Sequence, residues 1–94
     1  MVIGLVTIDL HLPGAHSLKD KRSVLKSVMR RIRNEFNVSI AEVDEQDVWR
    51  SAVLGAVTVS NDRAYVHGLL TGVVNWIERT RLDVDLVDYQ IEML

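Results

Sequence analysis

The sequence predicts an α+β fold in which a four-stranded antiparallel sheet is covered on one face by two helices, and three observations carry that prediction. Two stretches repeat their apolar residues on a period near 3.6, which marks amphipathic helices. Four others are rich in β-branched and aliphatic side chains and short enough to be strands. They succeed one another as strand, helix, strand, strand, helix, strand.

The first strand covers residues 2–12, with Val2, Val6, Ile8, Leu10 and Leu12 on one face and Ile3 and Leu5 opening the other. Pro13-Gly14 turns the chain, and Ser17 followed by Asp20 has the spacing of a capping box, with Asp in place of the usual Glu. A helix then runs to about Glu35 on the stripe Leu18, Leu25, Met29, Ile32 and Phe36, with Val28 beside it. The second strand, "NVSIAEV", and the third, "SAVLGAVTV", form a hairpin around the polar loop "DEQDVWR". Ser60, Asn61 and Asp62 cap a second helix over about 62–79, which sets Val66, Leu69, Leu70, Val73 and Ile77 on one face. Gly68 and Gly72 each cost that helix about 1 kcal/mol relative to Ala, and small residues four apart predict close packing there. In the last strand, about 84–93, Val84 and Leu86 share one phase while Val87, Tyr89, Ile91 and Met93 take the other, so a bulge is expected near 86 or 87.

The order βαββαβ is that of the ferredoxin-like sandwich. Right-handed crossovers make the sheet order 4-1-3-2, place both helices on one face, and bring the loops "PGAHS" and "DEQDVW" to the same end. The 94 residues make a single domain, 1–94, whose size allows only a modest core.

Composition narrows the function classes. With no cysteine, disulfides, thiolate chemistry and zinc-thiolate sites are excluded, and a cytoplasmic location is expected. The apolar N-terminus lacks a basic leader region and is interrupted by Asp9 and His11, so it reads as a strand, and no membrane partner is expected. Eleven Lys and Arg against thirteen Asp and Glu give a net charge of −2, which does not mark the whole chain as a nucleic-acid binder. The charges are segregated, however. Residues 19–33 hold seven cations against Asp20 alone, whereas residues 83–92 hold Asp83, Asp85, Asp88 and Glu92 with no cation.

Two motifs, "LHLPGAHSLKDKR" at residues 10–22 and "AEVDEQDVWRSAVLGAVTVSND" at residues 41–62, resemble the YlxP-like family of small bacterial proteins, a domain of unknown function. The resemblance extends essentially end to end. It implies a ferredoxin-like fold in a bacterial cytoplasmic protein and no assigned activity. Members are often encoded near translation and ribosome-maturation genes, which implies a link to RNA or the ribosome by association.

Three constellations are candidates for function. Lys19, Arg22, Lys26, Arg30 and Arg33 lie in one stripe of the first helix, the footprint of a phosphate-tracking surface; a solvated helix face accounts for the same pattern. His11, His16, Ser17, Lys21, Arg22, Asp47 and Trp49 converge on the two loops at one end, where a small anionic ligand or a metal would fit. Neither HxH nor HExxH occurs, so no metal set is assigned, and an imidazole at a strand end is satisfied by loop backbone. Asp44, Glu45 and Asp47 can instead pair with Lys21 and Arg22 as scaffolding. No cofactor is predicted, since GxxxxGK[ST] and GxGxxG are both absent. No catalytic residue is assigned either: His16 and Ser17 are neighbours and cannot face one another as base and nucleophile.

The third candidate is the uncovered sheet face. The first and third strands contain no Phe, Tyr or Trp, which argues against base stacking on the sheet. Their aliphatic side chains on that face predict a homo-oligomer. A non-enzymatic module that contacts RNA or the ribosome is therefore the leading reading, with a loop ligand site or a purely structural interaction subunit as the alternatives.

Overall fold

The computed structural model describes residues 1–80 and 83–94. It contains β1 (Val2–His11), α1 (Leu18–Glu35), β2 (Ser39–Asp44), β3 (Ser51–Ser60), α2 (Arg63–Arg79) and β4 (Asp85–Met93). All strand pairs are antiparallel and the sheet order is β2-β3-β1-β4, the expected ferredoxin-like arrangement read from its other edge. No helix among the described residues is long and apolar enough to cross a membrane.

The period-2 alternation of the central strands sets the two faces. Val6, Ile8 and Leu10 of β1 pair with Ala56, Leu54 and Ala52 of β3, and all six are buried beneath the helices. Each fully buried Ile or Leu contributes about 1.5–3 kcal/mol. The opposite face carries Ile3, Leu5, Val53, Val57 and Val59, of which Val57 and Val59 are 40% and 54% exposed. The phase change in β4 is a bulge: Asp9 pairs with Asp88 and Leu10 with Leu86, leaving Val87 without a partner on β1. That extra residue keeps Leu86, Tyr89, Ile91 and Met93 on the same side of the sheet. A second shift, in β2, leaves Val43 unpaired against β3.

Helix α1 begins at Ser17, whose Oγ accepts a hydrogen bond from Asp20 N at 3.0 Å. Asp20 Oδ2 in turn accepts from His16 N at 3.0 Å, so the box closes one residue earlier than the form in which the third-residue side chain reaches back to the cap N–H. Helix α2 is capped by Asp62, whose Oδ1 accepts from Tyr65 N at 3.2 Å.

Close packing of α2 is found at one of its two glycines and, more tightly, at a glycine of β1. A methyl group at Gly68 would meet nothing, and one at Gly72 would press Phe36 Cε1 at 3.2 Å. The tight approach is at Gly4 of β1, where a methyl would collide with Val66 and lie 2.8 Å from Leu70 Cδ1. Glycine at this position lets α2 settle onto the central strand. Trp76, absent from the predicted apolar face of α2, is buried, with the Arg31 guanidinium 5.3 Å from its ring centre.

Candidate nucleic-acid interface

Two side chains fasten α1 along the edge strand β2. Lys21 shares its helical phase with Leu25, Val28 and Ile32, and with them it is buried. Its Nζ donates to the carbonyl oxygens of Glu45 at 2.6 Å and Val48 at 2.7 Å, and lies 2.9 Å from Glu42 Oε2. Two carbonyls and one carboxylate thus surround an ammonium with three hydrogens. Glu42 Oε2 is itself buried and, among the described residues, held by this ion pair alone. Twelve residues further along α1, Arg33 Nη2 donates to Ile40 O at 2.8 Å. About 18 Å of helix between these anchors matches about 17 Å of chain from Ile40 to Glu45, so α1 runs antiparallel beside β2.

The cationic stripe lies on this flank. At 3.6 residues per turn, Lys19, Arg22, Lys26, Arg30 and Arg33 fall within about 80° of arc, centred about 130° from the buried face. All five are exposed. Arg33 is drawn to the β2 edge, whereas Lys19, Arg22, Lys26 and Arg30 pair with no carboxylate among the described residues, where Lys21 and Glu42 form the ion pair. The acidic residues Asp85, Asp88 and Glu92 lie on β4, at the opposite edge of the sheet, about 14 Å away across three strand spacings. This acidic run is therefore on the flank opposite the stripe, while Glu42, Asp44, Glu45 and Asp47 lie on the stripe's own side, on β2 and the loop that follows it.

The loops 12–17 and 45–50 meet at one end of the sheet, joined by a residue that sequence reasoning missed. Arg50 donates from Nε to Ala15 O at 3.1 Å and from Nη2 toward His16 Nδ1 at 3.4 Å. Its own carbonyl accepts from Leu12 N at 2.9 Å and from His11 Nδ1 at 3.0 Å, which places the His11 proton on Nδ1. An arginine in a polar loop carries no local signal of this role, because its partners lie 34 to 39 positions away.

The two-loop candidate set is only partly assembled. Ser17 is committed to the helix cap, and Lys21 lies under the loop with no solvent exposure. His11 and His16 engage loop backbone and Arg50, while Arg22 and Asp47 are exposed and pair with nothing among the described residues. The expected pairing of Asp44, Glu45 and Asp47 with Lys21 and Arg22 is replaced by Glu42 and loop carbonyls, because Lys21 meets the backbone of the turn from below. The acids face other partners: Asp44 Oδ1 accepts from Glu45 N at 2.8 Å, and the Glu45 carboxylate accepts from Ser51 Oγ. Among the described residues no three His, Asp or Glu groups converge as metal ligands. A cleft of about 320 Å³ lies beside the first loop, lined by Leu12, Pro13, Gly14, Ala15, Asp20, Val24 and Asp83. Its charged lining is carboxylate, which does not suit an anion.

The 45–50 loop turns tightly. Glu45 adopts a left-handed backbone with φ 58°, and Val48 N donates to Glu45 O at 3.0 Å. Beyond the turn Val48 and Trp49 are exposed to 46% and 51%.

Comparison with known proteins gives the chain a family and assigns no chemistry to it. The chain is 38% identical over 77 residues, covering 82% of this chain and 84% of the other, to a Bacillus subtilis (strain 168) protein described as "Uncharacterized protein YlxP". Residues 3–91 match the model of the family described as "Protein of unknown function (DUF503)", and the chain belongs to that YlxP-like family.

Proposed function

We propose that the protein is a non-enzymatic cytoplasmic module that contacts RNA or the ribosome through the α1 stripe and self-associates through its open sheet face. The observation that carries the first part is the set of four exposed cations, Lys19, Arg22, Lys26 and Arg30, in one arc with no carboxylate partner among the described residues. Acids at i,i+4 would balance such cations along a helix. Here the acid of the first turn, Asp20, is engaged by the cap, Glu42 is held by Lys21, Asp44 and Glu45 accept from Glu45 N and Ser51 Oγ, and Asp85, Asp88 and Glu92 lie on β4 at the far edge, which leaves Asp47, among the described residues, as the unengaged acid on the stripe's side. Binding of RNA should therefore weaken with salt, with a log–log slope of about −3 for four phosphate contacts. Filter binding of single-stranded RNA across a salt series tests this. Absence of binding at low salt counts against the reading and favours a purely structural interaction subunit.

Self-association is supported by the contrast between edges and face. The β2 edge is shortened, bulged at Val43 and covered at Ile40 O by Arg33, and the β4 edge is bulged at Val87 and carries three carboxylates. Such features discourage edge pairing. The open face carries Asp9, Asp88 and Glu92 toward its β4 side, and its aliphatic part, Ile3, Leu5, Val53, Val57 and Val59, is what a two-fold dimer would cover. A small anionic ligand between the loops is the less favoured reading, given the burial of Lys21 and the acidic lining of the adjacent cleft.

A further inference from the structure

We propose that Trp49 is a base-stacking residue, and that RNA following the α1 stripe does so as a single strand with one base laid on the Trp49 indole. This rests on the polyanion reading of the stripe and adds the form of RNA recognised. The chain has two tryptophans; Trp76 is 8% exposed and packed under Arg31, whereas Trp49 is 51% exposed.

An exposed indole on a loose loop would mean little, but this loop is anchored on both sides of the residue. Val48 gives its carbonyl to the buried Lys21, and Arg50 is tied by its side chain to Ala15 and by its carbonyl to Leu12 and His11. The backbone that carries Trp49 is thus held on both sides, which lowers the ordering cost of stacking a ligand on its indole.

The surroundings select the ligand. Lys19 and Arg22 flank Lys21 in sequence and open the stripe at this same end of α1. The carboxylates of Asp44 and Glu45 are turned to Glu45 N and Ser51 Oγ, leaving Asp47 as the loop acid without a partner among the described residues. Two other aromatics are exposed: Tyr65 begins α2 at the opposite end of the sheet, and Tyr89 lies on the acidic strand β4. Trp49 is consequently the exposed aromatic in the loop that Lys21 joins to the cationic start of α1. A cationic track ending at a presented aromatic is the arrangement that holds single strands, since a duplex keeps its base faces internal.

The experiment titrates the full chain with a 12-nucleotide single-stranded oligoribonucleotide and its duplex at low salt, reading tryptophan emission and affinity together. The single strand should quench the emission and bind more tightly than the duplex. Trp49→Ala should lose roughly 5- to 150-fold in affinity, while Trp49→Phe should stay within about 5-fold of the parent protein. Asp47→Asn should bind more tightly. Circular dichroism of both Trp49 variants should match the parent, because the residue lies outside the core. Salt-sensitive binding with unchanged emission and an unaffected Trp49→Ala variant overturns the stacking proposal and leaves the stripe reading intact; no binding of either RNA overturns both.

Discussion

Lys21 Nζ lies 2.7 Å from the carbonyl oxygen of Val48, so a fully buried residue of α1 holds the backbone immediately before the exposed Trp49. The same ammonium is, among the described residues, the sole partner of the buried Glu42 Oε2. One side chain therefore couples helix, edge strand and loop.

Replacing Lys21 by Met keeps the stem but strands a buried carboxylate oxygen and two carbonyls. Destabilisation of about 3–5 kcal/mol is expected, a large part of the total for a small domain. Urea unfolding reads it directly. Adding Glu42→Gln to the Lys21→Met variant should recover part of the loss, and a single variant as stable as the parent would show that the ion pair contributes nothing net.

The glycines predict opposite signs. Gly4→Ala forces Val66 and Leu70 away from β1 and should cost about 1–3 kcal/mol, as overpacking does. Gly68→Ala adds a methyl in open space inside a helix and should gain about 0.8–1 kcal/mol. Thermal melts of the pair should move in opposite directions.

Ser17→Ala removes the acceptor for Asp20 N and should lower stability by about 1 kcal/mol. Ser17→Asp should restore most of it. Equal losses in both variants would assign Ser17 a role other than capping.

Val57→Lys and Val59→Lys place charge on the open sheet face without touching the core. If that face joins two copies, light scattering at tens of micromolar should give a dimer for the parent protein and a monomer for the double variant. A monomeric parent would remove the sheet face from the account.

The fold was legible because its signals are local. Two stripes near 3.6, the phase reversal around Val87 and the cap spacing of Ser17 and Asp20 each survive in a single short window, and each has its structural counterpart. The site was less so. Lys21 reads as one more cation in "LKDKR", yet its spacing of four, seven and eleven from Leu25, Val28 and Ile32 places it on the buried face. Its charge masks its helical phase. Arg50 and Gly4 act through residues far away in the chain, Ala15 and His16 for one and Val66 and Leu70 for the other. A glycine amid β-branched residues hinted at close approach, but not at which element approaches. Arg33 belongs to the stripe by phase and to the β2 edge by its hydrogen bond to Ile40 O, a distinction only the tertiary structure draws.

The central claim is that the unpaired cations of α1 form a phosphate-binding track, and the salt dependence of RNA binding by the variant Arg22→Gln, Lys26→Gln, Arg30→Gln tests it most directly. Arg33 is left in place because it holds the β2 edge. The account predicts a folded protein whose affinity for single-stranded RNA falls at low salt and whose log–log slope is shallower by about 2, while Asp88→Asn, Glu92→Gln at the acidic edge changes the slope little. A folded triple variant with the parent's affinity and slope would contradict it.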